Sequence, residues 1–258
     1  MKIAFFDSGI GGLSVLNEAK DRLDADFLFY ADKDNVPYGE KPKEDILKYV
    51  DDAVSFLINE GANAIVLACN TATSVAAKIL REKYDLPIIG MEPAIKYALK
   101  LNDEKRVLVI ATPVTVKGEK MKELIGRVDK AHLTDLLALP KLVTFAEAGK
   151  FESDNVTKYL TEKLTPYDFE KYSAVVLGCT HFNYFKDTLR NLLPQSVSLI
   201  DGNEGTVNEL KRRLDLKKNP SGENSTEYFY SGKRVTDKNE LQKLNNLLLR
   251  LNKMQEIK

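Results

Sequence analysis

Cysteine is scarce in this chain: two residues, Cys69 and Cys179, in 258. Net charge is absent as well, with 38 basic residues balanced by 38 acidic ones. No apolar run approaches the roughly 18 residues that a membrane helix needs. The opening segment, MKIAFFDSG, meets Asp7 too early to form a secretory hydrophobic region. Each absence excludes something. Balanced charge leaves no overall footprint for nucleic acid or an anionic membrane. The lack of long apolar segments points to a cytoplasmic protein, and in that reducing compartment the cysteines are expected as free thiols. The apolar fraction, 43%, is ordinary for a globular chain, and the length admits one large domain or two small ones.

What is present is organised around AIVLACNTAT, residues 64–73. A continuous apolar run ending in a polar group fits a strand buried on both faces, with Cys69 at its carboxyl end and a helix following. In open α/β sheets ligands bind in that crevice. The phrase recurs about 110 residues later as AVVLGCTHF, residues 174–182, with Cys179 in the place of Cys69. Both cysteines therefore stand at one position of a repeated unit.

The rest of the chain reads as alternating strands and helices. Lys2 to Phe6 is a strand that enters Asp7-Ser8 and the turn Gly9-Ile10-Gly11-Gly12, with a helix from Leu13. A dinucleotide reading of this turn, with Asp32 as ribose ligand, is weakened by Ser14 at the third glycine position and by Asp7, which would repel a pyrophosphate. Close backbone approach to a small ligand explains the glycines as well. Val36-Pro37-Tyr38-Gly39 reads as a fixed turn that presents Tyr38 or backbone amides, or as a surface turn with a packed tyrosine. Helices are expected over Lys43 to Asn59, Thr115 to Ile125, Asp154 to Leu164, Asn183 to Leu193 and Thr206 to Leu214. Glu147 is read in a loop after Val143-Thr144-Phe145, and Lys217 to Ser225 as a polar loop. Glu92 lies near a helix start, where a carboxylate suits the dipole without any catalytic role.

After Asn102-Asp103-Glu104-Lys105 the strand-and-turn pattern restarts with Val107 to Ile110 and Ala111-Thr112-Pro113-Val114-Thr115. The tail, with a strand at Glu227 to Tyr230 and an amphipathic helix from Asp237, has no match in this second half and is expected to complete the first. The expected fold is α/β: two similar, pseudo-symmetric three-layer domains with mostly parallel sheets and a site in the cleft between them. Residues 1–96 plus 206–258 form a discontinuous first domain, and residues 97–205 form the second.

Two thiols facing one cleft suggest acid/base chemistry. Helix amino termini favour thiolate and are expected to lower both thiol pKa values. Asp7 stands on the strand expected beside Cys69, and His181 is two residues past Cys179. Groups of this kind on opposite faces of one carbon can remove a proton from one side and deliver one to the other, as a racemase or epimerase does. Ser8, Asn70, Thr71, Thr180 and the amides of Gly9, Gly11 and Gly39 are candidate donors for a carbanion-like transition state and for substrate carboxylates. Taken singly each residue has a plainer reading: a core thiol, a helix-start histidine, a capping aspartate. Zinc is disfavoured, because only His181 stands at ligand spacing from either cysteine.

FDSGIGG at 6–12, VPYG at 36–39, LACNTATS at 67–74, GMEPAIK at 90–96, ATPVT at 111–115 and LGCTHF at 177–182 together resemble the cofactor-independent glutamate racemases of the aspartate/glutamate racemase superfamily. The resemblance runs from about residue 3 to residue 205. It implies Cys69 acting on the α-proton of D-glutamate with Asp7 assisting, Cys179 acting on that of L-glutamate with His181 assisting, and Glu147 as the family's glutamate beside them. It implies substrate contacts at Asp7-Ser8, Tyr38-Gly39, Asn70-Thr71, Thr112, Thr115 and Thr180-His181, and a homodimer. It further implies no cofactor, no metal, and D-glutamate supplied to the bacterial cell wall. The chain departs from the family pattern at Asn183, where proline is usual, in the segment before Glu147, and around Asp201-Gly202-Asn203. A racemase for aspartate or another acidic amino acid, and a two-lobed amino-acid-binding protein, are the alternatives.

Overall fold

The computed structural model describes residues 1–101, 104–216 and 224–257. The chain begins with β1 (Lys2–Asp7), α1 (Leu13–Lys20), β2 (Asp26–Ala31), α2 (Lys43–Asn59), β3 (Ala64–Leu67), α3 (Asn70–Lys83), β4 (Ile88–Gly90) and α4 (Ile95–Leu101). It continues with β5 (Arg106–Ala111), α5 (Pro113–Lys117), α6 (Glu119–Val128), β6 (Thr134–Ala138), α7 (Pro140–Glu147), α8 (Asp154–Leu164), β7 (Tyr172–Leu177), α9 (Lys186–Leu192) and β8 (Ser198–Asp201). It closes with α10 (Asn203–Leu214), β9 (Thr226–Tyr230), β10 (Lys233–Arg234) and α11 (Lys238–Gln255). Of the polar loop expected at Lys217 to Ser225, residues 217–223 lie outside the described residues.

Two sheets result. The first has the order β10-β9-β2-β1-β3-β4 and the second β6-β5-β7-β8. Among the described residues every pairing is parallel except that of the short edge strand β10 with β9. The stretch β2-β1-β3-β4 repeats as β6-β5-β7-β8, so β3 and β7, the two strands that lead into cysteines, hold equivalent places. The tail joins the first sheet, where β9 pairs in parallel with β2.

Strand periodicity explains how the layers cohere. Along β1, Ile3 and Phe5 face one apolar cluster, whereas Ala4 and Phe6 face another with α2 and α3. In the second sheet Leu108 and Ile110 turn toward the same cluster as Ile3 and Phe5. One apolar cluster therefore runs between the sheets through Leu13 and Leu16 of α1, Phe182, Leu210 of α10 and Leu251 of α11. Each such large side chain taken from water contributes roughly 1.5–3 kcal/mol. That continuity sets the carboxyl edges of both sheets against each other.

Three local expectations are corrected. Glu147 is the last residue of a helix, α7, and not in a loop. Val143-Thr144-Phe145 has strand-like composition, but Pro140 in the first turn favours a helix start, and Leu142, Val143 and Ala146 bury one helical face. The helix expected over Thr115 to Ile125 is two, α5 and α6, separated at Gly118, whose backbone is extended. The Asn183 helix begins as a tight 3-10 turn over Thr180–Phe185 before α9.

Candidate active site

The carboxyl ends of β1, β3 and β7 deliver Asp7, Cys69 and Cys179 to one buried region. Cys69 caps α3, its Sγ accepting from the Ala72 amide at 3.4 Å. Cys179 precedes the 3-10 turn without such a bond. Ser8 Oγ donates to Asp7 Oδ1 at 3.1 Å and lies 3.8 Å from Cys69 Sγ. Thr180 Oγ1, next to the other cysteine, donates to Asp7 Oδ2 at 2.9 Å. Asp7 thus links the surroundings of both thiols.

On the Cys179 side, His181 Nδ1 lies 3.9 Å from Cys179 Sγ and its Nε2 lies 2.6 Å from Glu147 Oε1. The same carboxylate oxygen accepts the Ile10 amide at 2.7 Å. The glycine turn makes room for these groups. A Cβ on Gly9 would come within 1.9 Å of Glu147 Oε1, and one on Gly11 within 2.4 Å of His181 Nδ1. The turn therefore meets side chains from the second half of the chain at contact distance.

Electrostatics separate the groups. Burial pushes the Cys69 thiol up, the negative charge of Asp7 adds to this, and Cys179 adds further, outweighing the Ala72 amide and Ser8. The thiolate-favouring effect expected of the helix terminus is thus overruled at Cys69, because desolvation of the anion is the larger effect. Burial opposes charge on His181, yet its hydrogen bonds to Cys179 and Glu147 and the charge of Asp7 raise it well above its ordinary value. Burial would raise Glu147, but the hydrogen bond and charge of His181 and the Ile10 amide hold it below its ordinary value. Asp7 is raised, mainly by burial, with His181 and Thr180 opposing. The environment favours a neutral thiol at Cys69 and opposite charges on the His181–Glu147 pair beside Cys179.

Residues 15–210 match the Asp/Glu/Hydantoin racemase family. The glutamate racemase of Campylobacter curvus is 58% identical to this chain over the whole of both. This chain belongs to the glutamate racemases. In structure it is similar to the glutamate racemase of Campylobacter jejuni subsp. jejuni, with a TM-score of 0.81 at 30% identity over 98% of each chain. The Escherichia coli glutamate racemase, solved with L-glutamate and the activator UDP-MurNAc-Ala, gives a TM-score of 0.80 at 30% identity over 97% of this chain and 94% of that one.

The other polar positions of this racemase fall into two groups. Thr71, Thr112 and Thr115 bring their hydroxyls into a triangle, with Oγ1 atoms 2.9, 3.2 and 3.0 Å apart, bridging α3 to the start of α5. Gly39 lies against this triangle, where a Cβ would come within 2.7 Å of Thr112 Cβ. Asn70 is buried and its Oδ1 has no partner among the described residues. Tyr38 is engaged already: its hydroxyl donates to Asp32 Oδ2 at 2.5 Å, and its ring packs with Phe6 and Tyr49. Asp32, weighed from sequence only as a ribose ligand, is instead the anchor of this turn, and Asn35 donates to both of its oxygens. Nothing in the sequence beyond its place after β2 signalled that role.

Glu92 lies elsewhere, half exposed and paired with Arg127 at 3.1 Å. It borders a cavity of about 1120 Å³ lined by parts of α1, α4, α10 and α11, and neither cysteine lines that space. A large cavity is a usual candidate for a site, and burial holds Lys120 in its lining down to about 8; Asp7, Glu147 and His181 do not line it.

Proposed function

We propose that the enzyme interconverts L- and D-glutamate by a two-base mechanism without pyridoxal phosphate. Cys69, as thiolate once its own proton has passed through Ser8 to Asp7, takes the α-proton of D-glutamate. Cys179, as thiolate, takes that of L-glutamate, and the opposite cysteine, as thiol, returns a proton to the other face. The observation that carries this reading is the pair of cysteines at equivalent places, after β3 and β7, with Asp7 bonded to Ser8 beside one and Thr180 beside the other. Asp7 serves Cys69 through Ser8. His181, held by Glu147, serves Cys179. The cationic imidazole offsets negative charge that develops at Cys179 and on the substrate, in a site where burial strengthens such interactions.

Asn70 Oδ1, buried and unpartnered among the described residues, is an acceptor that the substrate ammonium would satisfy on binding. Ser8, Gly39, Thr71, Thr112, Thr115 and Thr180 supply donors for its two carboxylates, with Tyr38 shaping the turn. The return of β9 to β2 supports a discontinuous first domain of residues 1–96 and 206–258 beside a second of 97–205. A homodimer in the cytoplasm, supplying D-glutamate for peptidoglycan, completes the proposal. It rests on the family resemblance.

The test is proton NMR of L-glutamate in D2O with reduced, cofactor-free protein, followed by chiral analysis. Loss of the α-proton signal and appearance of D-glutamate are expected, and Cys69→Ala and Cys179→Ala should each abolish both directions. Exchange with aspartate alone would reassign the substrate. Binding without exchange would make the protein a carrier and sink the enzymatic reading.

A further inference from the structure

Arg250, on the last helix, reaches the catalytic turn from outside. Its side chain is 14% exposed. Nε and Nη2 both donate to the Tyr184 carbonyl, at 3.0 and 2.9 Å. Nη2 also donates to Asp187 Oδ2 at 2.7 Å, and Nη1 to Glu152 Oε1 at 2.5 Å. The guanidinium carbon sits 4.9 Å from the centre of the Phe151 ring, which stacks on Tyr184 at 5.0 Å.

These contacts converge on two short segments. Tyr184 follows His181 by three residues in the same 3-10 turn. Phe151 and Glu152 follow Glu147, the end of α7, by four and five residues. One guanidinium thus grips the chain just after each member of the His181–Glu147 pair. The ring of contacts closes through Tyr184, whose hydroxyl donates to the Ile10 carbonyl at 3.1 Å, while the Ile10 amide donates to Glu147.

The Tyr184 carbonyl has a reason to need this partner. In a continuing helix it would accept the amide four residues on, that of Thr188, but that amide donates to Asp187 Oδ1 at 2.7 Å. A buried carbonyl without a partner is costly, and a bidentate arginine satisfies it with fixed geometry. Docking of α11 does not depend on the arginine, because Leu244, Leu251 and Met254 bury its apolar stripe.

We propose that Arg250 is a positioning residue for the Cys179 half of the reaction, acting through the Tyr184 carbonyl and the Phe151-Glu152 segment to hold His181 against Glu147 and Cys179. The proposal rests on the two-thiol reading above. Arg250 touches neither thiol, so its removal should slow proton transfer at Cys179 and leave substrate binding and the Cys69 step intact.

The experiment uses Arg250→Met and Arg250→Gln, with exposed Leu249→Ala on the same helix as control, and α-deuterated L- and D-glutamate as substrates. In both Arg250 variants kcat should fall roughly 10- to 100-fold, the scale of a slightly misplaced catalytic group, with KM within about twofold of wild type. The primary isotope effect on kcat/KM should rise from L-glutamate and not from D-glutamate, since only the Cys179 step has slowed. The Leu249 control should match wild type. Unchanged kinetics in either folded Arg250 variant, or equal rises from both enantiomers, would overturn the proposal. So would loss of folding in both variants, which would make the arginine purely structural. An active Cys179→Ala variant would overturn the two-thiol reading itself and the proposal with it; an inactive one beside a fully active Arg250→Met would overturn the proposal alone.

Discussion

Glu147 Oε1 stands 2.6 Å from His181 Nε2 and accepts the Ile10 amide at the same time. The carboxylate from the end of α7 therefore ties the histidine beside Cys179 to the glycine turn after β1. The dyad bridges the two sheets and holds a charge pair in a buried place.

Glu147→Gln should weaken that pair without changing its size. With His181 raised and Glu147 lowered, the sign of the linkage follows. The stabilisation from His181 is full below its unfolded value near 6.5 and is lost as pH rises through the raised folded value. That from Glu147 is full above its unfolded value near 4.5 and is lost as pH falls through the lowered one. The wild-type advantage in melting temperature should be greatest between these two values and fade in alkali. Turnover at neutral pH should drop about 10-fold or more, a part of the roughly 100- to 10,000-fold that general acid/base assistance contributes. A flat difference across pH would show that the pair is not ionised as described.

Asp7 presents the opposite case. Its folded pKa is raised, chiefly by burial, so the native state carries a penalty for ionising it. That penalty is complete above the raised value and vanishes below the unfolded value near 3.8. Asp7→Asn should therefore melt at or above the wild-type temperature at neutral pH, lose that advantage in acid, and racemise far more slowly. Thermal scans at several pH values beside initial rates would test this trade of stability for function, and a variant less stable at pH 7 than at pH 4 relative to wild type would contradict it.

Gly11 is a steric prediction. A methyl there would meet His181 Nδ1 at 2.4 Å and Thr180 Oγ1 at 2.6 Å. Gly11→Ala should cost about 1–3 kcal/mol by overpacking and remove most activity. Gly205→Ala, in α10 with none of the described residues within 4 Å of the new methyl, should be neutral or stabilising by roughly 0.5–1 kcal/mol. Denaturant midpoints for the pair give the comparison; equal costs would refute the crowding at Gly11.

Much of this was legible in the residues alone. The apolar runs before Cys69 and Cys179 announced two equivalent buried strands, and the spacing of Ile46, Val50, Val54 and Leu57 marked α2 at its observed ends. The tail has no counterpart in the second half, and its β9 pairs with β2. Such signals are local, because strand and helix periods are written in neighbouring residues. Other features depended on residues far away in the chain. Glu147 ends a helix because α7 buries Leu142, Val143 and Ala146, against the strand-like character of the segment. The raised thiol of Cys69 comes from enclosure and from Asp7, and it reversed the expectation drawn from a helix terminus. The glycine turn found its purpose only once His181 and Glu147 arrived against it, and Arg250 showed none until α11 lay beside Tyr184. Sequence determined most of the strands and helices and where two thiols stand. Tertiary structure decided the charge of each group and what it touches, because desolvation and contact depend on which distant chains close over it.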